Sequence, residues 1–191
     1  MPYKHNRIME NNTTILGIDP GTNIMGYGLI KTGGKGPLLV DFGCVEMQRF
    51  NDHYEKLRCI FDRTLQLIDE YNPVALAIES QFYGNNVQSM LKLGRAQGSA
   101  ISAALYRSVP VFEYAPRKIK QAITGYGNAS KEQIAGFLQK IMKFNTVPEK
   151  LDATDGLAVA LCHFYQQGKL PTSGKYKGWH EFLKKNPERL A

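Results

Sequence analysis

Cysteine is scarce in this 191-residue chain: Cys44, Cys59 and Cys162 are the only three, and no two stand in Cys-x-x-Cys spacing. An odd, widely spaced set argues against a disulfide framework or a structural zinc site and suits a reducing cytosol. No apolar run approaches the ~18 residues that a membrane-spanning helix needs. The opening stretch MPYKHNRIMENN lacks the apolar segment of a secretory leader. Repeats and low-complexity stretches are missing as well. Acidic side chains are outnumbered, 17 against 24 Lys and Arg, giving a net charge of +7. The expectation is a cytoplasmic protein without a membrane partner, drawn to an acidic ligand, with nucleic acid the first candidate.

With 43% hydrophobic and 21% charged residues, the chain has the make-up of an ordinary globular domain. The excess positive charge is uneven: residues 1–12 carry +1 and residues 168–191 carry +4, leaving +2 for 13–167. A binding surface in the body of the protein must therefore come from clustering rather than bulk charge. The composition divides the chain into a polar N-terminal extension (1–12), one domain (13–167) and a basic C-terminal extension (168–191).

TTILGID (13–19) reads as a buried strand stopped by Pro20-Gly21. Two more strands, 23–32 and 38–47, flank the hairpin-type connection Gly33-Gly34-Lys35-Gly36-Pro37. From Tyr54 to Tyr71 the apolar residues Leu57, Ile60, Phe61, Leu65 and Ile68 switch to helical spacing. PVALAIE (73–79) is a continuous apolar strand, 86–107 a second long helix and VPVFEY (109–114) a further strand. Helices are expected near 116–124, 130–142 and 149–167, the last two started by capping-box pairs, Ser130 with Gln133 and Thr146 with Glu149. Three antiparallel strands followed by strand–helix–strand units predict an α/β fold with helices on both faces of one sheet. In such sheets, ligand chemistry gathers beyond the carboxyl ends of the strands.

Asp19 and Glu79 stand at two such strand ends, each behind an apolar run. Alone, Asp19 before Pro-Gly serves equally as a turn former, and Glu79 as a solvated strand end. Asp152 and Asp155 are three residues apart, on one helix face, with small Ala153, Gly156 and Ala158 beside them permitting close packing on the sheet. Helix-dipole stabilisation accounts for Asp152 but less well for Asp155, which leads into an apolar stretch. Four carboxylates converging on one rim repel each other unless cations lie between them. Oxygen donors without a His or Cys cluster suit Mg²⁺, with Mn²⁺ able to substitute. Two such ions are the standard apparatus for in-line attack on a phosphodiester.

The blocks ILGIDPGTNIMGYGLI, LAIESQF, MLKLGRAQG, PVFEYAPRKIKQAITGYGNASKEQI and LDATDGLAVALCH resemble, in order and spacing, those of the RuvC Holliday-junction resolvases. The resemblance runs from about Thr14 to His163. It implies an RNase H-like mixed five-stranded sheet, a homodimer, and Mg²⁺-dependent paired, symmetrical nicking of four-way DNA junctions that leaves 5′-phosphate and 3′-hydroxyl ends. It assigns metal ligation to Asp19, Glu79, Asp152 and Asp155, with two ions per subunit. Some relatives have His in place of Asp152. Phe82 matches an aromatic residue that packs on junction bases. Lys120 and Lys131 match lysines near the scissile strand, Lys120 with a catalytic role, and with Arg117 and Lys118 they form a basic DNA-binding cluster. Asn85 departs from relatives that carry lysine there. Leu91, Gly94, Gly98, Ala103 and Ala104 permit close packing of the helix 86–107, whose outer face the family uses for dimer contact. RuvA and RuvB are the implied protein partners.

GIDPGTNIMGYG also resembles the first phosphate-binding hairpin of actin- and Hsp70-like ATPases, but 191 residues leave no room for their second lobe. A member of the same superfamily acting on RNA or other branched DNA is the closer alternative. A silent junction-binding module would have lost a carboxylate, and all four are present.

Overall fold

The computed structural model describes residues 12–33, 36–81, 86–145, 148 and 150–167. The N-terminal stretch 1–11, the basic extension 168–191, Phe82, Asn85 and the Thr146–Glu149 capping pair lie outside the described residues.

The first three strands are β1 (Thr14–Asp19), β2 (Ile24–Gly33) and β3 (Gly36–Glu46), joined as antiparallel neighbours. Gly33 pairs with Gly36 at the end of the β2–β3 ladder. Helix α1 (His53–Tyr71) follows; the Asp52 side chain caps it by accepting from the Tyr54 N–H, and Asn72 ends it with φ +46°. Then come β4 (Ala75–Glu79), α2 (Val87–Tyr106) and β5 (Val111–Tyr114). β4 pairs parallel with β1, and β5 parallel with β4. The sheet order is β3-β2-β1-β4-β5, so three antiparallel strands followed by two parallel ones are found as the sequence predicts.

Three more helices complete the chain: α3 (Pro116–Thr124), α4 (Lys131–Met142) and α5 (Asp152–Gln167). The Ser130–Gln133 capping box forms at the start of α4, a feature worth ~1 kcal/mol. Helix α5 begins at Asp152, later than the expected 149. The chain first makes tight turns, with the Ala153 N–H donating to the Lys150 carbonyl and the Thr154 N–H to that of Leu151. The Thr154 hydroxyl donates to the same Leu151 carbonyl at 2.6 Å.

Strand alternation distributes the core between two layers. Leu16, Ile18, Leu76 and Ile78 face α1 and α2, packing with Ile60, Leu67 and Ala100. Ile15, Ile30 and Ala77 face α3, α4 and α5, packing with Ile119, Leu138 and Leu161. The same period of two puts Asp19 and Glu79 on the α5 side. No described helix is long and apolar enough to cross a membrane. All three cysteines are free.

Candidate active site

Sheet register brings the first two carboxylates together. Ile18 of β1 lies opposite Ile78 of the parallel strand β4, so the next residues, Asp19 and Glu79, leave the sheet side by side. Helix α5 supplies the others because its first half rests directly on glycine. On β2, Gly26 is the register partner of Asp19. A Cβ on Gly26 would lie 2.1 Å from the Asp152 carbonyl oxygen, and one on Gly28 2.3 Å from the Leu157 Cα. From the other side, a Cβ on Gly156 would lie 2.4 Å from the Tyr27 Cα. Side chains at these positions would hold the helix away, so the glycines set how near Asp152 and Asp155 come to the strand ends.

Asp19, Glu79 and Asp155 line a cleft of about 270 Å³ whose opposite wall comes from α3 and α4, with Ile119, Lys120, Lys131 and Ile134. Lys131 donates from Nζ to Asp152 Oδ1 at 3.1 Å and to Asp155 Oδ2 at 2.6 Å. Lys120 Nζ donates to the Ala129 carbonyl at 2.9 Å, tying α3 to the segment before α4. Sequence reasoning placed Lys131 against a phosphate; here it is the internal counter-charge of the α5 acids. Arg117 and Lys118 are exposed on α3 and do not line the cleft. The Lys118 ammonium lies 5.1 Å from the Tyr114 ring centroid.

Burial, reinforced by the Asp155 charge and opposed by Lys131, raises the Asp19 carboxyl to about 6. Glu79 is raised to about 8 by burial and then by Asp19 and Asp155. Asp155 is also raised by burial, against the hydrogen bond from Lys131. Burial opposes the charge on Lys131, but Asp155 and Asp152 hold its ammonium above the ordinary lysine range. The cleft thus concentrates more negative charge than its lysines neutralise. Among the described residues, no three acidic, His or Cys side chains already stand as a closed ion cage. The donor set nevertheless fits a hard divalent cation, being all carboxylate and electrostatically short of positive charge.

These shifts predict a pH dependence of stability without divalent metal. A folded carboxyl with a raised pKa keeps its proton where the unfolded chain has released it, so stability falls as pH rises towards the folded value. His163, buried and lowered to about 4, acts oppositely below about 6.5. Between pH ~6.5 and ~8 Glu79 dominates, and stability is expected to fall by roughly 1–2 kcal/mol. Urea unfolding in EDTA across that range checks this, and Glu79→Gln should flatten the slope. An unchanged midpoint in the native protein would contradict the crowded-carboxylate reading.

The family model described as RuvC, crossover junction endodeoxyribonuclease, matches residues 15–163. The chain belongs to the RuvC family. A RuvC crossover junction endodeoxyribonuclease from Christiangramia forsetii is 53% identical over 183 residues, 96% of this chain and 95% of that protein. One from Cytophaga hutchinsonii is 55% identical over 176 residues, 92% of this chain and 87% of that protein. Among solved structures, T. thermophilus RuvC in complex with a Holliday junction substrate is similar at a TM-score of 0.75 and 32% identity. That likeness covers 82% of this chain and 96% of the T. thermophilus chain. As a RuvC, the chain is an endodeoxyribonuclease, and its four carboxylates and two cleft lysines lie within the matched span.

One set of polar residues escaped sequence reasoning altogether. His53, Lys56, Ser89 and Lys92 come from two helices far apart in the chain and line a second cavity. Their convergence depends on how α1 packs on α2, which no local pattern reports.

Proposed function

We propose that this RuvC-family protein resolves four-way DNA junctions by paired, symmetrical nicks during recombination and repair, leaving 5′-phosphate and 3′-hydroxyl ends. The observation that carries the reading is the meeting of Asp19, Glu79 and Asp155 in one cleft walled by Lys120 and Lys131. The substrate class is supported by the T. thermophilus RuvC structure, which holds a Holliday junction.

Metal dependence goes with this family of nucleases, and we assign Mg²⁺, replaceable by Mn²⁺, at two ions per subunit to Asp19, Glu79, Asp152 and Asp155. Bound there, the cations supply Lewis-acid stabilisation of charge at the phosphorus and a water of lowered pKa. The chain's own residues do the rest. The four carboxylates fix where the cations sit, and the scissile phosphate is thereby drawn to the rim. Lys131 balances Asp152 and Asp155 and is free to turn to a phosphate once cations take over that task. Lys120, anchored on the Ala129 carbonyl, presents a fixed positive charge to the cut strand. Arg117 and Lys118 extend the basic surface along α3, and Phe82 is assigned to stacking on junction bases. The nuclease unit is assigned to 13–167, and the +4 segment 168–191 to added non-specific DNA affinity.

The homodimer rests on the outer face of α2. Val87, Leu91 and Leu105 are large exposed apolar residues there, and a Cβ on Gly94 or Gly98 would meet nothing within 4 Å. A two-fold pair through this face presents two clefts to a two-fold junction. Sedimentation at twice the chain mass checks it. RuvA and RuvB as partners, and a cytoplasmic location, are proposed on family membership.

The deciding experiment uses end-labelled four-way junction and matched linear duplex, in Mg²⁺ and in EDTA. Symmetrical nicks confined to the junction and absent in EDTA support the proposal. Equal cutting of linear duplex or of an RNA hybrid would move the protein to another role within its superfamily.

A further inference from the structure

A second cavity, of about 310 Å³, opens where the β1–β2 turn meets the beginnings of α1 and α2. Its polar lining comes from three separated segments: Thr22 and Asn23 of the turn, His53 and Lys56 of α1, and Ser89 and Lys92 of α2. Among the described residues, no carboxylate lines it. Lys56 is held in place by donating from Nζ to Asn23 Oδ1 at 2.8 Å. The His53 Nε2 atom is buried and has no hydrogen-bond partner among the described residues.

The electrostatics agree with the geometry. The His53 ring is held below its usual pKa by burial first, then by the positive charges of Arg95, Lys92 and Lys56. The acid that opposes them is Asp52, and its Oδ1 already accepts the Tyr54 N–H as the cap of α1. Cations, hydroxyls and an imidazole nitrogen with no described partner therefore crowd a polar hollow that no described carboxylate lines. That inventory matches a phosphodiester: two non-bridging oxygens able to accept several donors at once, with a negative charge that relieves the mutual repulsion of the cations.

Position identifies the source of that phosphate. Asn23 follows Asp19 by four residues, so the cavity lies within ~14 Å of the catalytic rim. A DNA strand advances about 3.4 Å per nucleotide along its axis, which places the cavity about four nucleotides or fewer from the cut. We infer that this pocket seats a backbone phosphate of the bound DNA and clamps the strand beyond the catalytic cleft. The inference rests on the endonuclease reading for the identity of its ligand.

The test compares two doubly substituted full-length proteins. Lys56→Ala with Lys92→Ala empties the pocket of its lysines. Lys31→Ala with Lys140→Ala removes the same charge from exposed positions on β2 and α4 outside the cavity. Binding of labelled junction and of linear duplex is measured in EDTA from about 50 to about 200 mM salt, with melting curves confirming that both variants fold. The pocket variant is expected to bind DNA more weakly, with a salt slope shallower by about one. Its affinity deficit then shrinks roughly three- to four-fold across that salt range. The control pair should keep the native slope. In parallel, the His53 ring proton, assigned by its loss in His53→Gln, should shift when DNA is added.

Native binding by the pocket variant, or an equal loss in the control pair, would overturn the inference. If the native protein nicks junctions but the pocket variant binds them normally, the pocket is refuted and the resolvase reading stands. If junctions are neither preferred nor cut, that reading fails, and the linear-duplex titrations still decide the pocket.

Discussion

Asp19→Asn is expected to lower junction cleavage at least ~10³-fold, equivalent to ~4 kcal/mol of transition-state stabilisation, without weakening junction binding. Asp19 is the carboxylate most enclosed by others, its carboxyl raised by burial, Asp155 and Asp152. Losing its charge removes a ligand from the proposed cation site, while phosphate attraction can only gain from the removal of a nearby negative charge. Asp155→Asn should act similarly, since its side chain is only 12% exposed and bound to Lys131 at 2.6 Å. Asp152 is 37% exposed with a longer bond to the same lysine, so Asp152→Asn should be the mildest of the three. Asp19→Asn should not destabilise the metal-free protein, because its carboxyl is raised by burial and by the Asp155 charge. Asp155→Asn, in contrast, also gives up the ion pair with Lys131 and should cost some stability in EDTA. Single-turnover cleavage and EDTA binding assays check both halves. Cleavage within ten-fold of native for Asp19→Asn, or loss of binding by a folded variant, would defeat the assignment.

Gly156→Val should disable the enzyme from outside the cleft. A Cβ at this position falls 2.4 Å from the Tyr27 Cα and 2.6 Å from the Tyr27 N and carbonyl carbon. These are backbone atoms of a paired strand and cannot step aside as a flexible side chain would. Helix α5 must lift, at a cost on the order of 3 kcal/mol, or roughly 6–12 °C in Tm. The lift also carries Asp152 and Asp155 away from Asp19 and Glu79, and a displacement of about 1 Å is enough for ~10²-fold in rate. Gly136 in α4 offers the contrast. A Cβ there meets nothing within 4 Å, so Gly136→Ala should be neutral or stabilising through helix propensity, by up to ~1 kcal/mol. Equal melting temperatures for Gly156→Val and the native chain would show that α5 does not rest on the sheet as described.

The elements themselves were legible because their causes are local. Apolar runs announce β1 and β4, and 3.6-residue spacing announces α1. The carboxylates were legible as strand-end and helix-face residues, and the small residues around Gly156 pointed to close packing. What local pattern could not show was register. That Ile18 stands opposite Ile78, and Asp19 opposite Gly26, follows from long-range strand pairing. The glycines of β2 read as hairpin-strand residues, whereas their role is to receive α5. Lys131 carries the same lesson, since a lysine at the start of a helix looks solvated until the facing helix is in place. The start of α5 was misplaced because tight turns at Lys150 and Leu151 delay the helical bonding to Asp152.

The seating of α5 on β1 and β2 also bears on the protein's synthesis. Two of the four carboxylates belong to the last described helix, while the glycines that receive it lie in the first two strands. A chain still emerging from the ribosome can pair those strands and expose Asp19 and Glu79, yet it holds only half the acid set until α5 clears the exit tunnel. A product that ends before α5 therefore carries only two of the four carboxylates assigned to the cation site.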